Sequence, residues 1–139
     1  MPAGYSSTPL AKKLGFSDGL SVFVAAMPAS VKAEILKVAA PKFTTKVVKG
    51  QMAAHLFVTE AKTLAAALKT LRGLLAPNGV VWVSWPKRSR AGRSARTDSD
   101  VSEDVIRTIA LPLGYVDVKV CAVDETWSGL KLVIRKSQR

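Results

Sequence analysis

A strand, a helix and a second strand follow one another without interruption between His55 and Trp85, and this run limits the fold more than any other part of the chain. HLFVT (residues 55–59) is a short apolar run, and residues 60–76 carry Leu64, Leu68, Leu71 and Leu75 along one helical face. Thr59 is placed to cap that helix. Pro77-Asn78-Gly79 is placed to stop it, and VVWVSW (residues 80–85) is rich in the β-branched and aromatic side chains of a buried strand. Such a unit pairs its strands in parallel through a right-handed crossover and leaves the helix on one face of a sheet. A sheet covered this way needs a core, and 139 residues at 48% hydrophobic supply one core and not two. The single α/β domain is therefore expected to span residues 1–139. Neither a disulfide nor a zinc cluster holds it, because Cys121 is the lone cysteine and His55 the lone histidine.

The flanking segments extend the same pattern. Thr8, Pro9 and Gly15 sit where an N-cap, a first helical residue and a C-terminal glycine belong, which predicts a short helix carrying Leu10 and Leu14. Asp18-Gly19 is a turn, and LSVFVAA (residues 20–26) reads as a strand covered on both faces. Ser30 is placed to cap a helix with Val31, Ile35 and Val38 inward, broken by Pro41, and residues 43–48 form a weaker strand. Only residues 49–54 separate that strand from the next, too few for a usual parallel crossover. The earlier strand thus either pairs antiparallel or the chain passes under the sheet as an extended connector. After the central unit, Ser102 caps a helix through Leu113, with Glu103 and Asp104 in its first turn. Residues 115–123 alternate, with Val116, Val118, Val120 and Ala122 on one side and Asp117, Lys119 and Cys121 on the other. Residues 130–135 alternate again, so the intervening turn predicts an antiparallel hairpin.

The stretch from His55 to Trp85, with LAPNG before a strand, resembles the segment between the fourth and fifth strands of S-adenosylmethionine-dependent methyltransferases. That resemblance implies a shortened Rossmann-like, methyltransferase-like α/β fold: a mostly parallel sheet, helices on both faces and a C-terminal antiparallel hairpin. More specifically, TPLAKKLG (residues 8–15), HLFVT, VWVSWPK (residues 81–87) and LPLGYVDVKVCAVDETWSGLKLVIRK (residues 111–136) resemble a small bacterial family known only as a domain of unknown function. This second resemblance implies a fold and no chemistry. Two positions depart from the methyltransferase pattern. The turn after the first strand, Ala25 to Ser30, holds no glycine and includes Pro28, which lacks a backbone donor. The second strand ends among Lys46, Val47, Val48 and Lys49, with no acid for a ribose.

In a doubly wound sheet, ligands bind beyond the carboxyl ends of the strands, near the point where strand order reverses. The residues there are Met27 and Ser30, Thr59 and Glu60, and Ser84, Trp85 and Lys87. If the strand at residues 115–123 runs parallel, Asp124, Glu125 and Trp127 join the same rim. One reading is a pocket with aromatic walls and a few polar groups. The other is that Asp124 and Glu125 neutralise Lys87 or Arg88 while Trp85 and Trp127 close the end of the core. His55 in its apolar strand reads as a satisfied core histidine, and Cys121 as a small half-buried hydrophobe.

The charge, 21 basic residues against 10 acidic for a net +11, calls for a polyanionic partner to be considered. Lys87, Arg88, Arg90, Arg93 and Arg96 fall within residues 87–96 of a basic, flexible loop at 86–100. They suit phosphates, but no helix-turn-helix, zinc finger or RNP-type motif accompanies them. No apolar run is long enough for a membrane span or a signal peptide, so a cytoplasmic protein is expected. The main functional reading is a non-catalytic binding or regulatory module for a small or anionic ligand at the rim, with no cofactor and no metal. The alternatives are sequence-independent nucleic-acid binding through the basic loop and a methyltransferase with an atypical cofactor loop. Oligomeric state and ligand identity stay open.

Overall fold

The computed structural model describes residues 8–87 and 99–139. The chain begins with α1 (Leu10–Leu14), β1 (Ser21–Ala25), α2 (Ala29–Leu36) and β2 (Lys42–Thr44). The predicted unit follows as β3 (Gln51–Phe57), α3 (Ala61–Leu74) and β4 (Leu75–Pro86), and the chain ends with α4 (Glu103–Ala110), β5 (Tyr115–Ala122) and β6 (Trp127–Ile134). The strands form one sheet in the order β2-β1-β3-β4-β6-β5. β1 pairs in parallel with β2 and β3, and β3 with β4, whereas β6 is antiparallel to both β4 and β5.

Several helix starts differ from expectation. Pro9 and Pro28 occupy the N-cap positions of α1 and α2, so Thr8 and Ser30 do not cap them, and Ser30 lies exposed in the first turn of α2. α2 ends at Leu36, which leaves Val38 outside the helix and 57% exposed. α3 is not capped by Thr59. The Ala61 N–H donates instead to Asp100 Oδ1 at 2.7 Å, a carboxylate that arrives from 39 residues along the chain. Ser102 does cap α4, its Oγ accepting from the Val105 N–H, and Glu103 and Asp104 lie in the first turn. α4 stops at Ala110, and Leu111–Leu113 form a 3₁₀ turn where Pro112 would have no donor for an α-helical bond.

β2 resolves the crossover difficulty. It is parallel to β1 and separated from β3 by β1, so residues 45–50 must step across one strand and return to the sheet's amino edge. Six extended residues reach about 20 Å, enough for two strand spacings of about 4.8 Å and a return of three or four residues. Val47 packs on the α3/α4 side during this passage. The extended connector, not antiparallel pairing, is the solution. β1→β2 and β2→β3 run in opposite lateral directions, so crossovers of one hand place α2 on one face and the connector and α3 on the other.

The core accordingly divides in two. Leu64, Leu68 and Leu71 of α3 and Ile106 of α4 cover Leu56, Val81, Val83, Leu130 and Leu132 on one face. Leu10 and Leu14 of α1 and Val31 and Ile35 of α2 cover Val22, Phe57, Trp82 and Trp127 on the other. Within β1 only Val22 is fully buried, since β2 beside it is three residues long. β5 has a register irregularity between Asp117 and Lys119, which breaks the expected alternation. Asp117 therefore faces α4 and pairs with Arg107, while Cys121 packs with the opposite core. At the start of β4, Gly79 is required by contact: a Cβ there would lie 2.6 Å from Leu75 Cγ and 2.9 Å from the Gln51 carbonyl oxygen.

Candidate functional site

Strand order reverses between β1 and β3, since the chain leaves β1 to one side for β2 and returns to the other side for β3. Beyond the carboxyl ends of these strands is where such sheets bind ligands. The turn leaving β1 contains the only non-glycine residue with positive φ among those described, Ala26 at φ 58°. An L-residue in this left-handed region costs about 1–2 kcal/mol. The turn thus keeps a conformation suited to glycine at a position that holds alanine. α2 then starts from Pro28.

Beside this turn is a cleft of about 530 Å³, lined by Ser30, Glu34, Lys37, Val123, Asp124, Glu125 and Thr126. Ser30 and Glu34 of α2 and Lys37 at its C-cap recur at helical spacing, away from the buried Val31 and Ile35. The opposite wall is the β5–β6 turn, which emerges at this edge because β5 runs parallel to β4. The Asp124 carboxylate organises the turn: Oδ1 accepts from the backbone N–H groups of Thr126 at 2.8 Å and Trp127 at 2.7 Å. Lys87 braces it from outside, donating from Nζ to the Asp124 carbonyl oxygen at 2.6 Å and from its backbone N–H to that of Thr126. Across the cleft Lys37 pairs with Glu34 at 2.8 Å. The walls therefore carry three carboxylates and one amine.

Ser30, Asp124 and Glu125 of the expected rim meet in this cleft, and the others do not line it. Trp85 and Trp127 are both buried, on opposite faces of the sheet, so they close the two cores and form no aromatic wall. Met27 packs with the α1/α2 core. Thr59 accepts from the Asp100 N–H through its carbonyl oxygen, and Glu60 stands at the start of α3 on the far face. Glu34, Lys37 and Thr126 were not anticipated. The helical spacing of Ser30, Glu34 and Lys37 was a usable signal; the approach of residue 126 to α2 was not. Of the basic loop, Lys87 braces the β5–β6 turn, and Arg88, Arg90, Arg93 and Arg96 lie outside the described residues.

Ser84 is fully buried beneath the rim and hydrogen-bonded to His55, Oγ to Nε2 at 2.8 Å. His55 stacks on Phe57 at 4.3 Å and meets Phe16 edge-on. Its Nδ1 has no partner among the described residues, and burial pulls the imidazole down to about 3, keeping it neutral. It is thus a core histidine with one of its two nitrogens satisfied. Burial raises the Cys121 thiol, against the pull of Lys13, Lys119 and Lys87, so it is poorly disposed to ionise. No group of His, Cys, Asp and Glu side chains among the described residues is arranged to hold a metal ion. Likewise no helix among them is long and apolar enough to cross a membrane.

Solved structures share this architecture. A SAM-dependent methyltransferase from Aquifex aeolicus matches with a TM-score of 0.63 and 12% identity over 94% of this chain and 90% of that one. The fold is similar to that of SAM-dependent methyltransferases. The mitomycin 7-O-methyltransferase MmcR also matches at 0.63, with 8% identity over 87% of this chain and 50% of that one. Aeropyrum pernix fibrillarin, solved with bound S-adenosyl-L-methionine, gives 0.53 and 14% identity over 89% and 73%. No protein-family model matches the sequence, and no curated protein is detectably similar to it. Against the doubly wound order 3-2-1-4-5-6, the first four strands of this sheet, β2-β1-β3-β4, read as 2-1-4-5. The third strand and its crossover are missing, and residues 45–50 stand in their place.

Proposed function

We propose that the protein is a small-molecule-binding module whose site is the cleft between α2 and the β5–β6 turn. The observation that carries this reading is the cleft itself. Its volume, about 530 Å³, falls in the range of small-ligand sites, roughly 300–1,000 Å³, and it lies at the carboxyl edge where this fold class binds. Glu34, Asp124 and Glu125 outnumber Lys37 on its walls, which favours a ligand rich in donors, neutral or cationic, over an anion. Amide chemical-shift mapping with adenosine and spermidine as probes tests it. At least one probe should shift Ser30, Glu34 and residues 124–126, and Glu34→Gln with Glu125→Gln should abolish the shifts. If both leave these amides unmoved, the reading fails.

A second reading, S-adenosylmethionine-dependent methyl transfer, is favoured by Ala26. Strained backbone concentrates at functional sites, and this turn occupies the place of the glycine-rich cofactor turn. The neighbouring residues do not fit that cofactor in its usual pose, because Pro28 offers no backbone donor and Lys46 follows β2 where an acid would meet the ribose. Calorimetry separates the two readings. Heat with S-adenosylmethionine and with its demethylated product supports the second; heat with adenosine or spermidine alone supports the first.

A further inference from the structure

A second cavity lies at the opposite, amino-terminal edge of the sheet, where β1, β3 and β4 begin. It holds about 180 Å³ and is walled by Leu14, Phe16, Leu20 and Val80, with Met52, 40% exposed, also on its lining. Two polar side chains complete it, Asn78 and Lys131. An apolar cavity of about 150 Å³ takes up benzene, so the space here suits a ring or chain of about six carbons. Lys131 supplies the asymmetry. It stands directly across from Lys119 in the β5–β6 register, on the face that carries Trp82. Like charges opposed on neighbouring strands destabilise a sheet, and none of the ion pairs among the described residues includes either lysine. An anion beside Lys131 would relieve that repulsion, while the adjoining walls accept only apolar groups.

We propose that this cavity binds a small apolar monoanion, a carboxylate with a body of about six carbons, its head on Lys131 and Asn78 and its tail against Phe16 and Leu20. The site is independent of the carboxyl-edge cleft, which has the opposite charge balance and shares no residue with it. Hexanoate is titrated into the full chain by calorimetry and amide-shift mapping, with hexan-1-ol and acetate as controls. Hexanoate should shift Gly15, Phe16, Leu20, Met52 and Lys131 and bind more tightly than either control. Lys131→Gln should weaken hexanoate about tenfold or more, the size expected for a hydrogen bond to a charged group, and leave hexan-1-ol unchanged. Lys131→Arg should retain most of the affinity. The proposal is overturned if hexanoate leaves these amides unshifted, if hexan-1-ol binds equally well, or if Lys131→Gln has no effect.

Discussion

α3 and α4, of 14 and 8 residues, lie over one face of the sheet, whereas α1 and α2, of 5 and 8 residues, lie over the other. The first face is packed with aliphatic side chains, and its buried polar group, the Tyr115 hydroxyl, donates to the Leu68 carbonyl oxygen at 2.7 Å. The second face holds His55 and Ser84, the aromatic rings of Phe16, Phe57, Trp82 and Trp127 beside its leucines, and both cavities. A pair of short helices cannot tile a sheet that broad, and the uncovered remainder becomes cleft. Dense packing is thus concentrated on one side and open space on the other.

Leu68→Ala probes the dense face and should have the largest effect, about 2–5 kcal/mol, seen as a fall in the denaturation midpoint at unchanged slope. A smaller loss would mean that the face is looser than its burial implies. The next effect belongs to the open face and is pH-dependent. His55 is 6.5 in the unfolded chain and about 3 when folded, so its contribution is complete above pH 6.5 and is lost as pH falls toward 3. Urea titrations should show stability declining by up to about 1.4 kcal/mol per pH unit below that point. His55→Leu combined with Ser84→Ala should flatten the curve until the carboxylates protonate. Asp117 then contributes in the same direction at lower pH, because Arg107 holds its carboxyl below the usual range.

Asp100→Ala removes the long-range cap of α3 and should cost about 1 kcal/mol, measurable as earlier amide exchange in the first turn of that helix. Ala26→Gly should do the reverse on the open face, stabilising by up to about 1 kcal/mol through relief of the positive φ. Should it destabilise instead, the turn is held by packing and not strained, and the contrast between the faces weakens.

Much of the architecture was legible because its signals are local. Leu64, Leu68 and Leu71 at helical spacing, Gly15 ending α1 at φ 76° and Ser102 opening α4 each act within a few residues. The candidate site was legible only as an edge. A strand's alternation says that Trp85 and Trp127 are buried but not against which layer, and a single irregularity in β5 reassigned Asp117 and Cys121 to different faces. Likewise the histidine's burial followed from its neighbours, while Ser84 as its partner depended on the β3–β4 register.

From the sequence alone came the alternation of strands and helices, the parallel centre with its antiparallel end, the excess of positive charge and a first turn without glycine, all of which depend on residue type and short-range spacing. The tertiary structure decided how β2 joins the sheet, which carboxylate caps α3, where the clefts open and which lysines oppose each other. These depend on register and on contacts between distant segments, and the energies that select them appear only when the layers are brought together.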